Sequence, residues 1–221
     1  MASETTQLPT ELQQWLHTHG CRPSEALKQL CNTSLELVDG SMLTSPEQLQ
    51  FLAFLASTIG AKQAIDVGVF TGASALAVAE VLPDDGKLIA CDLTDQYAQY
   101  ALPAWIEAGV EHKIDFRVAQ AIDTLRSLLQ TGGAKAYDFM YIDADKTNSA
   151  HYYELGLQLL RPGGIIAIDN MFYGGQVADN TFSDPNTVAM RELAAFLVSD
   201  HRIQYALIPI GDGLAVATIR D

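Results

Sequence analysis

The sequence predicts an α/β protein: a doubly wound, seven-stranded sheet, mostly parallel with one antiparallel strand, covered by helices on both faces. Three features predict it. From residue 62 onward, short apolar runs alternate with helical segments. The alternation makes five strand–helix units, which need crossover connections and so imply parallel pairing. Two closing apolar runs are joined by Gly211-Asp212-Gly213, a turn that folds them into a hairpin and supplies the antiparallel strand.

The elements follow in order. Residues 9–20, "PTELQQWLHTHG", begin with a Thr-x-x-Gln pattern at Thr10 and stop at Gly20, as a capped short helix does. Residues 23–38 read as a second helix. Residues 45–60, "SPEQLQFLAFLASTIG", are the clearest: Ser45 is placed to cap, Pro46 takes the first helical position and Gly60 ends the run. Leu49, Leu52, Phe54, Leu55 and Ile59 are expected to form its buried face. Strands are expected at "QAIDVG", "KLIACD", "KIDFRVA", "YDFMYID", "GIIAIDN", "RIQYALIPIG" and "LAVATIRD". Helices are expected at "ASALAVAEVL", "DQYAQYALPAWIEAG", "IDTLRSLLQ", "SAHYYELGLQLL" and "PNTVAMRELAAFLVS", with Pro103 kinking or dividing the second of these. The 221 residues suit one domain, with residues 1–60 as a helical cover and 61–221 as the α/β core.

A net charge of −14 repels polyphosphate, so nucleic acid and anionic membrane surfaces are poor partners. Cys21, Cys31 and Cys91 form no framework pattern and read as reduced thiols of a cytoplasmic protein. Residues 1–15 lack the basic start and apolar stretch of a signal peptide, and no apolar run approaches the ~20 residues of a membrane span. The five histidines show no zinc spacing; His17 and His19 are expected at the surface, and Tyr152-Tyr153 in packing, with Tyr152 able to line a pocket.

In an open α/β sheet, ligands bind beyond the carboxyl ends of the strands. At the first strand end, "IDVGVFTGAS", Gly68 and Gly72 permit a tight turn and a close approach of bare backbone, ahead of a helix start near Ser74. The G-x-x-x-G spacing differs from the dinucleotide pattern G-x-G-x-x-G. A tight turn without a ligand explains it equally well. Asp92 ends the second strand, where an acid accepts from ribose hydroxyls; a helix cap or turn acid is the other reading. Two apolar strands end in Asp143 and in Asp169-Asn170. If these strands are neighbours, ~4.8 Å apart, three oxygen donors meet and suit a hard cation such as Mg²⁺. Otherwise Asp143 caps the next helix, Asp169-Asn170 makes a turn, and Lys146 forms a salt bridge with Asp143 or Asp145.

Taken together, "LTSPEQLQFL", "IDVGVFTGAS", "IACD", "AGVEHKIDFR", "YDFMYIDADK", "LLRPGGIIAIDN" and "IPIGDGLAV" occur in an order that resembles the cation-dependent class I S-adenosylmethionine O-methyltransferases, the group of caffeoyl-CoA and catechol O-methyltransferases. The likeness runs from about residue 40 to the end, and bacterial small-molecule members look closest. It implies a Rossmann-like fold, S-adenosylmethionine as methyl donor, and a divalent cation, Mg²⁺ with Ca²⁺ or Mn²⁺ as alternatives. It places the metal ligands on Asp143, Asp169 and Asn170, and catalysis on Lys146 with Asp143. It places cofactor contacts on Thr44, Asp66, Gly68, Val69, Ser74, Asp92, Ala121 and Asp145. The implied acceptor is a vicinal diphenol, such as a caffeoyl or flavonoid compound, and the implied assembly is a homodimer. Asp66 stands where many members have glutamate, and Tyr173 where many have tryptophan; the first 40 residues differ from the plant enzymes. A transfer-RNA hydroxyuridine methyltransferase and a non-catalytic cofactor-binding protein are the rival expectations.

Overall fold

The computed structural model describes residues 8–220, and the expectation of a leaderless N-terminus falls in part on residues 1–7, outside the described residues. Strands β1 (Gln63–Val67), β2 (Lys87–Asp92), β3 (Ile114–Val118), β4 (Tyr137–Ile142), β5 (Leu160–Ile168), β6 (Ile203–Ile208) and β7 (Leu214–Ile219) form one sheet in the order β3-β2-β1-β4-β5-β7-β6. Pairing is parallel except at β7, which runs antiparallel to both β5 and β6. The seven-stranded, doubly wound reading is therefore the observed fold. The central strands are buried along nearly their whole length, so they read as continuous apolar runs.

Side-chain alternation divides the core. Ala64, Phe139 and Tyr141 face one layer, while Ile65, Met140 and Ile142 face the other. The first layer is closed by α2 (Glu25–Leu35), α3 (Pro46–Thr58), α4 (Ala73–Val81) and α5 (Ala98–Glu107), with α1 (Thr10–Gly20) resting on α3. The second is closed by α6 (Ala121–Gln130), α7 (Ser149–Leu159) and α8 (Pro185–Ser199).

Several local expectations are corrected. Thr10 is not a cap: Pro9 precedes the first helical residue, and no side chain caps α1. Ser45 does occupy the N-cap of α3, but its hydroxyl makes no capping bond and lies buried without a partner. Phe54 is 59% exposed, because it sits two residues from Leu52 and so on the opposite side of the helix. Pro103 does not divide α5; it is exposed, so water can satisfy the carbonyl that loses its helical donor. Strand β5 begins at Leu160 rather than 164, with a register shift against β4 through Arg161-Pro162-Gly163-Gly164. His17 is only partly exposed and bonds Glu47 at 2.7 Å. Cys21, Cys31 and Cys91 are free thiols, and burial pushes Cys31 up to about 11 and Cys91 up to about 12, as expected of inert packing residues.

Candidate active site

The strand order reverses between β1 and β4, and the carboxyl ends of the strands there open into a cavity of about 1300 Å³. Register builds the site. Val67 pairs with Cys91 and Ile142, and Ile142 pairs with Ile168. The next residues in each strand, Asp92, Gly68, Asp143 and Asp169, therefore stand in a row. The ladder continues one step further: Asp143 N–H donates to the Val67 carbonyl at 2.8 Å, and Asp169 N–H to the Ile142 carbonyl at 3.0 Å. Both carboxylates thus rise from fixed backbone.

Asp169 is 5% exposed. Its Oδ2 accepts from Tyr141 Oη at 2.6 Å and from Gln48 Nε2 at 2.7 Å, and its Oδ1 accepts from Asn170 N–H at 2.6 Å. Burial, reinforced by the Asp143 charge, pushes Asp169 up to about 6 against these bonds. Lys146 lies on the short helical turn after β4, and its Nζ donates to Asp143 Oδ1 at 2.9 Å. Asn170 adopts a left-handed backbone, φ 57°, which asparagine tolerates. Its Nδ2 points at Asp212 Oδ2, 3.4 Å away, in the β6–β7 turn. Asp143, Asp169 and Asn170 offer an all-oxygen donor set, which fits a hard divalent cation that would also relieve the carboxylate repulsion. Among the described residues, no group of three His, Cys, Asp or Glu side chains is arranged for a metal; the third donor here is an amide.

The opposite end of the cavity is built around the β1–α4 turn. Gly68 has φ 93°, and a Cβ there would lie 2.1 Å from the Asp143 carbonyl oxygen. A Cβ on Gly72, φ 89°, would meet Ala101 and the Trp105 ring at 2.8 Å. Contacts within the protein thus require both glycines. Asp92 holds the same turn: its Oδ2 accepts from Val69 N–H at 2.9 Å and Phe70 N–H at 3.1 Å, and its Oδ1 from Thr94 N–H at 3.1 Å. Phe70 meets Tyr97 edge-on at 4.6 Å, giving this end an aromatic wall. Asp145 accepts from the Tyr152 hydroxyl and from Asn148 Nδ2. Thr44, Gly68, Asp92, Ala121, Asp143, Asp145, Lys146, Asp169 and Asn170 all line the cavity. Asp66, Val69 and Ser74 stand behind its wall. Asp66 is 2% exposed, takes a 2.7 Å bond from Ser74 Oγ on Oδ2, and leaves Oδ1 buried without a partner. A buried carboxylate oxygen without a donor is costly, and the cationic amino group of an amino-acid-like cofactor is a fitting partner.

The O-methyltransferase family model matches residues 17–219. The chain belongs to the O-methyltransferase family. It is 43% identical over 202 residues to probable caffeoyl-CoA O-methyltransferase 2 of Dictyostelium discoideum, spanning 90% of this chain and 87% of that one. It is 39% identical over 213 residues to the catechol O-methyltransferase domain-containing protein 1 of Mus musculus, spanning 95% and 81%. The fold matches the O-methyltransferase TomG of Streptomyces achromogenes in complex with SAM, with TM-score 0.85, 27% identity and 96% of both chains covered. It also matches the O-methyltransferase of Bacillus cereus in complex with SAH, with TM-score 0.86, 25% identity and coverage of 96% and 98%. The protein is an S-adenosylmethionine-dependent class I O-methyltransferase.

Sequence reading of this methyltransferase missed Gln48, Tyr141, Tyr97 and Asp212. One signal was present for Gln48: this polar residue stands four residues before Leu52, on the helix's buried face.

Asp66 gives the ligand-free methyltransferase a distinct pH response. Burial pushes its carboxyl up to about 8, opposed by the Ser74 bond and reinforced by the Asp143 and Asp92 charges. The unfolded value is about 3.9, so the folded state favours the protonated form. That contribution to stability is complete below about pH 4 and is lost as pH rises through about 8. The melting temperature of the ligand-free enzyme should fall between about pH 4 and 8 and level off above that, and Asp66→Asn should flatten the fall. An unchanged slope in the variant, measured by thermal scanning, would assign the effect to another group.

Proposed function

We propose that this methyltransferase methylates one hydroxyl of a vicinal diphenol, with a divalent cation, Mg²⁺ by preference, held by Asp143, Asp169 and Asn170. The observation that carries the reading is the register of β4 and β5. It sets Asp143 beside Asp169-Asn170 in one cavity, with Lys146 Nζ at 2.9 Å from Asp143. The printed names of the relatives, caffeoyl-CoA and catechol O-methyltransferases, support a phenolic acceptor.

When bound, S-adenosylmethionine supplies the sulfonium methyl group, and the cation supplies charge that stabilises a phenolate. The protein's own groups do the rest. In its neutral amine form Lys146 accepts the proton of the reacting hydroxyl and becomes the ammonium that Asp143 holds. Tyr141 and Gln48 fix the plane of the Asp169 carboxylate, as outer partners of a ligand do. Asp212 turns the Asn170 amide so that Oδ1 faces away from it and remains available. Asp66, Val69, Ser74, Asp92, Ala121, Asp145, Gly68 and Thr44 form the cofactor end, with Asp92 offered to ribose and Asp66 to the amino group. We assign residues 1–60 as the cover of a single domain. No described helix is long and apolar enough to cross a membrane. A cytoplasmic homodimer completes the proposal, supported by the exposed Trp15 and Phe54 on the cover.

The test is transfer of labelled methyl groups to a panel of catechols, with Mg²⁺ and again with EDTA. Transfer should be abolished by EDTA and restored by excess Mg²⁺. Transfer that survives the chelator would leave the Asp143–Asp169–Asn170 set a structural feature.

A further inference from the structure

We infer that Tyr97 and Asp39 form a latch across the cofactor end of the cavity, and that its opening sets how fast S-adenosylmethionine enters and S-adenosylhomocysteine leaves. Both residues act on the cofactor through the chain segments they join, so they are positioning residues. The inference rests on the use of S-adenosylmethionine alone, and not on the acceptor or the cation.

The cofactor end has two rims. One is the strap of residues 36–44 between α2 and α3, of which Ser41, Met42, Leu43 and Thr44 line the cavity. The other is the loop after β2, which contributes Leu93, Thr94 and Tyr97. Met42 is 52% exposed and Leu93 66%, so both rims reach solvent and bound the mouth. The strap is fixed at its two ends. Where α2 finishes, Ser34 Oγ donates to Thr71 Oγ1 at 2.7 Å, and both residues are fully buried. At the start of α3, Gln48 bonds Tyr141 and Asp169, and Thr44 Oγ1 lies 3.3 Å from Tyr141 Oη.

Between these anchors one tie reaches the opposite rim: the Tyr97 hydroxyl donates to Asp39 Oδ2. Among the described residues it is the only hydrogen bond between the strap and residues 93–97. Its acceptor is a carboxylate, and such charge-assisted bonds are stronger than neutral ones. Tyr97 is itself held in place. It precedes the first residue of α5, and its carbonyl accepts from Tyr100 N–H at 2.9 Å. Its ring rests edge-on against Phe70. Phe70 has φ 49°, a left-handed conformation that is unfavourable for a bulky residue. Asp92 fixes it there by accepting from its N–H at 3.1 Å. Strain of this kind persists where surrounding contacts over-determine it, and here it sets the ring that backs the latch.

The latch bond joins two protein segments and needs no ligand atom, so it favours the closed form with or without cofactor. Entry and exit both pass through the open form. Loss of the bond should therefore speed both equally and leave affinity nearly unchanged. Loss of an ordinary ligand contact acts mainly on the dissociation rate.

The test measures binding of S-adenosylmethionine and S-adenosylhomocysteine to the full chain by surface plasmon resonance, in EDTA so that no cation enters the result. Tyr97→Phe removes the hydroxyl and keeps the ring against Phe70. Asp39→Ala removes the acceptor. Each should raise the association and dissociation rate constants together by roughly three- to tenfold, with Kd moving less than about twofold. The double variant should be no faster than either single one, because both remove the same bond. Asp39→Asn leaves an amide oxygen to accept from Tyr97 and should restore part of the parental slowness. Unchanged rates in both single variants would overturn the inference. So would faster dissociation with unchanged association, which would make these residues plain cofactor contacts. Rate gains that multiply in the double variant would show that the two residues act separately, and would overturn the latch as well.

Discussion

Replacing Lys146 with alanine should lower methyl-transfer turnover by roughly 10²–10⁴-fold while leaving the affinity for S-adenosylmethionine unchanged. Lys146 is the one basic side chain on the cavity wall, and its Nζ sits 2.9 Å from Asp143 at 13% side-chain exposure. It is therefore held beside Asp143 at the strand ends. The simplest competing role is an ion pair that neutralises Asp143. Lys146→Arg separates the two. Arginine keeps the charge and the pairing but does not release its proton at accessible pH, so it cannot serve as a base. The arginine variant should be nearly as impaired as the alanine one. If arginine restores turnover, the lysine is a counterion and the proton leaves by another route. Cofactor affinity, measured by calorimetry on the same variants, guards against a general loss of structure.

Gly68→Ala should be the most damaging single methyl group that can be added to this site. The residue has φ 93°, which costs a non-glycine residue about 1–2 kcal/mol. The added Cβ would also lie 2.1 Å from the Asp143 carbonyl oxygen and 2.6 Å from its carbonyl carbon. Both are backbone atoms, so no rotamer change relieves the overlap. Backbone displacement of this kind adds about 1–3 kcal/mol, for a total of roughly 2–5 kcal/mol. The chain must part just beyond the paired carboxyl ends of β1 and β4, where Asp143 N–H bonds the Val67 carbonyl. The variant should therefore melt well below the parent and bind divalent ions more weakly, both measurable in one thermal titration with and without Mg²⁺. A variant with parental stability and ion response would show that the paired strand ends can relax. It would also remove the packing explanation for this glycine.

The strands and the two carboxylate strand ends were legible for one physical reason. Buried parallel strands are apolar on both faces, so any polar residue closing such a run stands out, as Asp143 and Asp169-Asn170 do. The hairpin was legible because its turn needs φ above zero at Gly211 and Gly213, which only a few residue types supply. The groups that orient the site were not legible, because their partners are distant in sequence. Gln48 reaches Tyr141 across 93 positions and Asp169 across 121, and Asn170 meets Asp212 across 42. Local rules also failed where tertiary packing decided the outcome. Ser45 has the right residue type at the right helix position, yet its hydroxyl caps nothing. Gly68 and Gly72 looked like room left for a ligand, whereas the Asp143 backbone and the Trp105 ring already fill the space a side chain would need.

The turn at 211–213 links the two ends of the chain. A Cβ on Gly211 would lie 2.2 Å from Gln48 Oε1, so this glycine makes room for the side chain that braces Asp169. Gly213 makes room for the Phe172 ring, and Asp212 bonds the Asn170 side chain and the Gly174 amide. A protein is made from its N-terminus onward, at about 5–20 residues per second. The cofactor-side turn, with Asp66, Gly68 and Asp92, can close as soon as β1 and β2 pair. The side with Asn170 and Asp169 must wait for the β6–β7 hairpin. A nascent chain that stops short of it holds every proposed ligand and Lys146, but lacks the glycine that seats Gln48 and the carboxylate that bonds Asn170. Emergence of the β6–β7 hairpin is thus built into the fold as the event that finishes this side of the cavity.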